Sequence, residues 1–440
     1  MILLFALAAC NNEAHQDPTY YGEAKEVIDQ RCASCHNDSG IAPFPLTTYK
    51  EVSAVAALVE STVKAGTMPP WQPADDCNDY QNSFDLTEHE KHLILDFIAA
   101  DLPEGDKADA PRPPESQVFL KDHSLPLPLP YTPVTEPDDY RCQILDWQPE
   151  EELFITGVDI TPGNPAVAHH AVAFILDGSM REDYEMWDAE QEGPGYACFG
   201  GPAGDGSSFL DTEGMSFDEI VEMMESDDFE GAGFTWLGAW VPGAIPSVFP
   251  EGTGIHMDTD DFIVLQMHYN TQASDPAPDQ SVLNISVAEE VERPAITLPF
   301  TDPFWVLDMI PMHIPAGQVT THRFADGGEN SLMLHRLREG FELAPEEPLI
   351  IHSATLHMHT LGQAAELEIQ RPDGDECLLK IDDWDFNWQN AYWLSQPAEL
   401  YAEDSLAVSC TWDNVGDTDV KWGEGTGDEM CLGALYLTAP

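Results

Sequence analysis

The sequence predicts a multidomain protein in which a small all-α domain is followed by two all-β domains. Apolar residues recur at helical spacing mainly in the first hundred or so residues. A proline-rich stretch comes next, and the rest of the chain consists mostly of short β-type runs separated by Gly, Pro and Asp. A length of 440 residues suits about three domains, and 43% hydrophobic residues are enough for ordinary cores.

The first residues, MILLFALAACNNEAHQD, predict export. The apolar run Ile2–Ala9 is too short to span a bilayer and is typical of a signal-peptide core. It ends in a stretch that resembles a bacterial lipoprotein processing site, where Cys10 would be lipidated. We therefore expect residues 1–17 to be signal and tether, and the protein to be a lipoprotein at the periplasmic face of a bacterial membrane or at the cell surface. The lipid would be its only membrane anchor.

The predicted all-α domain covers residues 18–104. Helices are expected at Glu23–Arg31 and at Lys50–Ala65, and a third begins at a capping box formed by Thr87 and Glu90. Residues 105–137 are rich in proline and predict an extended linker.

The remaining chain predicts two β-sandwich domains, over residues 138–290 and 291–440, because it is too long for one small sandwich. A helix at Phe217–Met224 is expected to interrupt the first. The expected strands are ELFITGV, AVAHHAVAFIL, FIVLQMHY, LNISVA, LIIHSATLH, LAVSCTW and LGALYLT.

The charge of the chain excludes one class of partner. Eighty Asp and Glu residues against 17 Lys and Arg give a formal net charge of −63. Nucleic acid is therefore not an expected partner, because its phosphates would be repelled. A strongly acidic surface instead suits the solubility of an exported protein.

The most specific short motif is RCASCH at residues 31–36. Cys32 and Cys35 have the spacing that forms thioethers to haem vinyl groups, and His36 would bind the iron. A disulfide is a competing interpretation, a redox dithiol would want a βαβ setting, and a zinc site needs a second ligand pair. Met68, in the loop AGTMPPW, is the candidate sixth iron ligand, although a buried core methionine is the alternative. The segment resembles small class I c-type cytochromes, which implies one covalently bound haem c.

A second set of motifs consists of histidines in β-type runs. TLHMHTLG places His357 and His359 on one face of a strand. AVAHHAVAF buries two adjacent imidazoles, His169 and His170, which then need a partner. His268 follows in LQMHYN. Neutral imidazoles suit copper, zinc, iron or nickel.

The methionine of TGDEMCLG, Met430, adds a soft thioether donor that favours Cu(I) over zinc. In this order the four motifs, over residues ~138–440, resemble the type II copper, ascorbate-dependent monooxygenases, which include the peptidylglycine α-hydroxylating and dopamine β-monooxygenases. The resemblance implies two antiparallel jelly-roll sandwiches across a solvent-filled cleft, each holding one copper ion.

The resemblance also implies roles for individual residues. An electron-transfer copper would be bound by His169, His170 and His268, and an oxygen-activating, catalytic copper by His357, His359 and Met430. Gln266 would lie on the electron route, and Cys410 would pair with Cys431. Cys142 and Cys198 are a second, less certain pair in the first sandwich. Cys77 and Cys377 remain, and the sequence does not pair them, although a bridge between the helical domain and the second sandwich is one possibility.

The function expected from these residues is hydroxylation of a C–H bond in a small organic substrate by O2. Electrons would reach the copper ions through the fused haem from a periplasmic donor: a redox protein, a quinol-linked carrier or an ascorbate-like reductant. Thr355, Leu432 and Ala434 stand where the peptidylglycine enzymes hold a peptide C-terminus, so peptide amidation is not expected. The alternative is a copper- and haem-binding lipoprotein that carries electrons or senses copper without hydroxylase activity.

Two further groups of residues lie outside the ligand motifs. The aromatic run WDFNWQNAYW at 384–393 would line a substrate pocket or, more simply, belong to a sandwich core. The histidines outside these motifs are expected at the surface or supporting a ligand, and His352 should face away from His357 in a straight strand. They are His15, His89, His92, His123, His256, His313, His322, His335 and His352.

Overall fold

A computed structural model describes most of the chain as two compact units. One unit comprises residues 1–71 and 84–117, and the other comprises residues 72–83 and 118–440. The described residues are 17–37, 42–81, 83–112, 119–198, 201–204, 233–241, 244–272, 274–328, 331–423, 425 and 427–440. Cys10, His15 and the predicted helix Phe217–Met224 lie outside them.

The first unit is helical. A π-helical turn, Tyr20–Ala24, leads into α1 (Lys25–Arg31), and α2 (Tyr49–Ala65) and α3 (Glu88–Ala99) follow. Capping boxes begin both longer helices, from Thr48 in α2 and Thr87 in α3. The three helices match the three predicted ones.

The ends of the first unit share one core. Tyr20 and Phe97 are fully buried, with ring centroids 6.3 Å apart, and Ile28 of α1 packs in the same cluster.

Within the part of the chain that the structure describes, no helix has the length and apolar character needed to cross a membrane.

The second unit contains eighteen strands and three further helices among its described residues. The strands are β1 (His123–Pro126), β2 (Asp138–Ile144), β3 (Leu153–Thr161), β4 (Ala168–Leu176), β5 (Tyr196–Ala197), β6 (Phe234–Trp240), β7 (Ser247–Val248), β8 (Thr253–Met257), β9 (Phe262–Asn270), β10 (Val282–Ala288), β11 (Arg293–Phe300), β12 (Gln318–Gly327), β13 (Leu349–His357), β14 (Gly362–Gln370), β15 (Glu376–Ile381), β16 (Tyr392–Leu400), β17 (Ser405–Asn414) and β18 (Leu432–Thr438). The helices are α4 (Arg181–Glu190), α5 (Pro303–Val306) and α6 (Leu332–Gly340). Each of the seven predicted β-type runs overlaps one strand.

The strands form three sheets. A nine-stranded sheet has the order β1-β10-β3-β8-β11-β18-β13-β16, with β7 also paired to β3. A five-stranded sheet, β5-β2-β9-β4-β6, packs against its first half, and a four-stranded sheet, β12-β17-β14-β15, packs against its second half. The halves join where β8 pairs in parallel with β11, at Thr253–Ile255 and Arg293–Ala295. The β-rich unit is therefore two sandwiches that share one sheet.

Side-chain alternation in the five-stranded sheet decides where its polar residues lie. Odd-numbered residues of β9, such as Leu265 and Met267, are buried in the core between the sheets. Gln266 and His268 consequently point to the other face. His170 of β4 is the register partner of His268, so it lies on that face too.

Three disulfides lie within the second unit: Cys142–Cys198, Cys410–Cys431 and Cys77–Cys377. The last attaches residues 72–83, which the sequence places inside the helical domain, to β15 of the second sandwich. Cys32 and Cys35 are free. Three disulfides are typical of an exported protein.

Candidate metal centres

Three imidazoles converge on the outer face of the five-stranded sheet. The Nδ1 atoms of His169, His170 and His268 lie 3.2 to 3.4 Å from one another. The centre of such a triangle is about 1.9 Å from each nitrogen, close to a metal–imidazole bond of about 2.0 Å. This set, here called the first histidine set, therefore has the geometry of a three-nitrogen metal site.

A β-bulge brings the adjacent histidines together. In a regular strand, neighbouring side chains point to opposite faces. The register between β4 and β9 shifts between Ala168 and His170, so that His169 is the extra residue of the bulge. Both imidazoles consequently reach His268.

Side chains from β2 orient His268. Its Nε2 atom lies 2.9 Å from Oδ1 of Asp138, which also accepts a hydrogen bond from Asn270. The carboxylate fixes the proton on Nε2 and leaves the Nδ1 lone pair facing the other two histidines. Tyr140 stacks on the same imidazole, with ring centroids 4.1 Å apart.

Burial keeps the first histidine set neutral. It lowers the pKa of His268 to about 4 and holds the pKa of His170 well below its ordinary value, and neighbouring imidazoles lower both further. Burial also lowers the pKa of His169. All three side chains can therefore act as metal ligands at neutral pH.

His357 and His359 offer the opposite ring nitrogen. Nδ1 of His357 lies 2.6 Å from Oε1 of Gln389, and Nδ1 of His359 lies 3.0 Å from the carbonyl oxygen of Asp428. Each acceptor holds a proton on Nδ1, which leaves both Nε2 lone pairs free for a metal. Burial, the largest cause, lowers the pKa of His357 to about 3 and that of His359 to about 4.

The sequence places both histidines on one strand. In the structure, strand β13 ends at His357, and His359 lies two residues beyond its end. Their ring centroids are nevertheless 5.1 Å apart.

A buried carboxylate links these histidines to the segment that carries Met430. Glu429 accepts hydrogen bonds from the backbone N–H groups of His359 and Leu361, at 2.9 and 2.6 Å, and from Nε1 of Trp412 at 2.7 Å. Burial raises the pKa of Glu429 to about 7, against the opposing effect of these bonds. The next residue, Met430, is 7% exposed and precedes the Cys410–Cys431 disulfide. His357, His359 and Met430 are here called the second ligand set.

The loop between β15 and β16, residues 382–391, contacts both sets. The ring of Phe386 stacks on His169, with centroids 5.2 Å apart, and meets His359 edge-on at 6.1 Å. Nε1 of Trp384 donates to the carbonyl oxygen of His359 at 3.2 Å. This part of the aromatic run consequently belongs to the site, whereas Tyr392 is buried in strand β16.

Gln266 is buried beside the first histidine set and on the same sheet face as His268. Its Nε2 atom donates to the carbonyl oxygen of Gly201 at 2.7 Å. The expected role of Gln266 in electron transfer stays a prediction.

The RCASCH motif lies at the end of α1 in the first unit. Nδ1 of His36 lies 2.9 Å from the carbonyl oxygen of Phe44, which leaves Nε2 free to bind a metal. Burial raises the pKa of Cys32 to about 12 and also raises that of Cys35, which opposes a reactive redox dithiol. Met68 is half-buried in the loop after α2.

His352 departs from the sequence expectation. It is only 4% exposed and hydrogen bonds to Oγ1 of Thr438 at 2.9 Å. The register of β13 shifts between Ile351 and Ser353, so the face expected for a straight strand is wrong. Thr438, which bonds to His352, lies on the same face of β18 as Leu432, because residues of equal parity share a face. Leu432 is the register partner of His357, so His352 and His357 lie on one face of the sheet.

Four residues that support the candidate ligands were not among the predicted site residues: Asp138, Tyr140, Gln389 and Glu429. Each comes from another strand or loop, so only cross-strand register or the path of a loop brings it to its histidine. Position in or beside a recognised motif was a usable signal for Glu429, which directly precedes Met430, and for Gln389, which lies in the aromatic run 384–393.

Comparison with known proteins gives one family match in the C-terminal part of the chain and several more distant relatives. Residues 340–438 match the family described as "Copper type II ascorbate-dependent monooxygenase, C-terminal domain". Over 209 residues the chain is 24% identical to "DBH-like monooxygenase protein 1" of Homo sapiens, and 27% and 26% identical to the proteins of that name from Mus musculus and Gallus gallus. These alignments cover 46% of this chain and 32% of each relative, so the chain matches about a third of their length.

Solved structures give weaker matches. The major capsid protein P2 of bacteriophage PM2 aligns with 72% of this chain and 98% of its own at 11% identity, with a TM-score of 0.25. A Paenibacillus xanthan lyase aligns with 70% of this chain and 25% of its own at 10% identity, with a TM-score of 0.16. Scores this low carry no conclusion about fold or function. The sequence matches, in contrast, show that part of this chain is similar to the type II copper, ascorbate-dependent monooxygenases.

Proposed function

We propose that the protein is a copper-dependent monooxygenase that hydroxylates a C–H bond of a small organic substrate with O2. One observation carries the proposal: the Nδ1 atoms of the first histidine set converge within 3.2 to 3.4 Å in a chain whose C-terminal part matches the copper monooxygenase family. The three-histidine set alone fits copper, zinc, iron or nickel, and a thioether in the second ligand set favours copper.

Bound copper would supply one-electron redox chemistry at the first histidine set and O2 activation at the second ligand set. The protein would hold these ligands ready. Asp138 fixes the tautomer of His268, while Gln389 and the Asp428 carbonyl fix those of His357 and His359. Burial keeps these imidazoles unprotonated at neutral pH, so no proton has to leave them before metal binds.

The strand register supports a substrate other than a peptide C-terminus. Thr355 pairs with Ala434, and His357 pairs with Leu432, across β13 and β18. The three positions that resemblance assigns to carboxylate binding therefore lie next to His357 and carry no charge. A glycine-extended peptide should not be oxidised, and turnover of such a peptide at a useful rate would overturn this assignment.

The first unit would supply electrons through one haem c. Cys32 and Cys35 would attach the haem, and His36 and Met68 would bind its iron. The carbonyl oxygen of Phe44 accepts a hydrogen bond from Nδ1 of His36, which leaves Nε2 free for iron and supports this role. Cys32 and Cys35 form no disulfide with each other, which also supports it. The donor would be a periplasmic redox protein, a quinol-linked carrier or an ascorbate-like reductant, and Cys10 would carry the lipid anchor.

The direct test is to count copper and haem in the full chain, purified from a periplasmic host that matures c-type haem. We expect two copper ions and one haem per chain, and slow O2 consumption after reduction that Met430→Ala abolishes. Full metal loading with no reaction toward O2 would instead favour the alternative, an electron-carrying or copper-sensing lipoprotein.

The relay from haem to copper can be tested separately. A chain with Cys32→Ser and Cys35→Ser lacks the attachment sites for haem but keeps residues 72–83, which belong to the β-rich unit. Turnover driven by a reduced cytochrome should be lost, whereas turnover driven by ascorbate should persist. Equal loss of both would show that the haem is structural.

A further inference from the structure

Phe386 touches one histidine of each candidate centre. Its ring lies 5.2 Å from that of His169, at an interplanar angle of 27°, and 6.1 Å from that of His359, at 79°. One contact is stacked and the other is edge-on, and both are favoured arrangements of neighbouring aromatic rings. One ring therefore contacts an imidazole of each set, and the ring centroids of His169 and His359 are at most about 11 Å apart.

The loop that carries Phe386 is held on both sides of the ring. Gln389 bonds to His357, and Trp384 donates to the carbonyl oxygen of His359. Nε2 of Gln72 donates to the carbonyl oxygen of Asp385 at 2.7 Å. Gln72 belongs to the segment that the Cys77–Cys377 disulfide attaches to β15. The disulfide therefore supports the hydrogen bond from Gln72 to Asp385.

The chemistry of the ring matters as much as its place. Phe386 is half-buried and offers neither a ligand atom nor a proton. It packs against one neutral imidazole of each set. A side chain locked by neighbouring hydrogen bonds can hold two sites at a fixed spacing, which a water-filled gap cannot do.

We propose that Phe386 is a positioning residue that fixes the separation of the two metal centres through its contacts with His169 and His359. The inference rests on the proposed function for the presence of two copper ions. The inference goes beyond that function because it names the residue that sets the distance between the two ions.

The test uses the full chain loaded with Cu(II), with low-temperature electron paramagnetic resonance as the readout. Dipolar broadening between two Cu(II) ions falls with the cube of their distance. For two ions about 11 Å apart, the upper limit set by the ring contacts, loosening by about 1 Å would lower the broadening by about a quarter. Phe386→Ala should therefore show weaker or more heterogeneous broadening than the unsubstituted chain, at two copper ions per chain.

Two variants serve as controls. Phe386→Leu keeps much of the apolar volume but loses the aromatic ring contacts, so it should show a smaller change in broadening than Phe386→Ala, and it replaces that variant if the alanine variant fails to bind copper. Trp388→Ala removes a half-buried aromatic from the same loop that makes no ring contact with a histidine in the described parts of the chain. This variant should match the unsubstituted protein.

The outcomes separate the two hypotheses. If the unsubstituted chain binds fewer than two copper ions, the proposed function is wrong, and so is the pair of centres that Phe386 would space. If it binds two and neither Phe386 variant alters the broadening, the proposed function stands and the positioning role is wrong.

Discussion

Single carboxylates and amides set the tautomers of the candidate ligands. Asp138 is the only acceptor that the described residues offer to Nε2 of His268, at 2.9 Å. Because this bond leaves the Nδ1 lone pair free, its loss should weaken metal binding without removing a ligand. Residues that orient a metal-bound histidine typically contribute 10- to 100-fold to affinity.

Asp138→Ala should therefore lower the copper affinity of the first histidine set by about 10- to 100-fold. Competition against a chelator of known affinity would measure it. Glu152→Ala is the matched control, because Glu152 pairs at 2.7 Å with His256, a histidine of neither set. An unchanged affinity in Asp138→Ala would show that the carboxylate does not orient the ligand.

His352 gives a prediction about acid stability. Burial, with a smaller contribution from Arg293, lowers its pKa from 6.5 to about 4. The unfolded chain binds this proton near pH 6.5 and the folded chain only near pH 4, so stability is lost as the pH falls through this window. Between pH 8 and pH 5 the loss from this residue is up to about 2 kcal/mol.

His352→Gln removes the titration and keeps a hydrogen-bonding group near Thr438. In urea unfolding of the copper-free protein, its free energy of unfolding should fall less between pH 8 and pH 5 than that of the unsubstituted chain. His335→Gln is the control, because His335 is exposed and pairs with Glu339 at 3.4 Å. Parallel pH profiles for all three proteins would contradict the prediction.

At the scale of elements, the short connection from Glu429 to β18 holds the second ligand set together. The Glu429 carboxylate joins it to the backbone after β13 and to Trp412 of β17. Removing a carboxylate that serves three buried donors leaves each donor unpaired, at about 1 to 3 kcal/mol apiece.

Glu429→Ala should therefore lower the free energy of unfolding by about 3 kcal/mol or more and weaken copper binding at the second ligand set. Urea unfolding and chelator competition would measure the two effects. Asp428→Asn is the control, because its side chain bonds to Gly425 while its carbonyl oxygen still serves His359. Copper affinity that stays unchanged in Glu429→Ala would rule out this supporting role.

How far the sequence predicts each element depends on how local its signal is. Runs of alternating or continuous apolar residues predicted the strands, and Thr87 with Glu90 predicted the start of α3. The bulges at His169 and His352 were not predictable, because an extra residue in one strand is defined only by its partner strand. Phe386 was misjudged as more probably core for the same reason: its loop is placed by contacts distant in sequence.

At the scale of the whole molecule, the Cys77–Cys377 disulfide closes a loop of 300 residues in sequence. It fixes the segment 72–83, whose backbone also bonds to β15 and β16 through Ala74 and Gln81. In the chain-entropy description, a disulfide stabilises the fold by lowering the entropy of the unfolded chain, and the effect grows with the length of the closed loop. The contribution to the free energy of unfolding is roughly 2 to 5 kcal/mol.

Replacing Cys77 and Cys377 together with serine should make residues 72–83 susceptible to limited proteolysis under non-reducing conditions. Mass spectrometry of the fragments would locate the cuts. The double serine variant of Cys142 and Cys198, a disulfide within the first sandwich, should leave this segment protected. Equal protection in both variants would mean that backbone pairing alone fixes the segment.

The nine-stranded sheet has a mechanical consequence. β8 and β11, one from each sandwich, are joined by backbone hydrogen bonds from Thr253–Ile255 to Arg293–Ala295. Rotating one sandwich against the other like the two halves of a hinge would break this ladder and expose its N–H and C=O groups. Gradual twisting of the sheet is a cheaper deformation. A substrate that has to enter between the two centres would therefore meet a stiff frame.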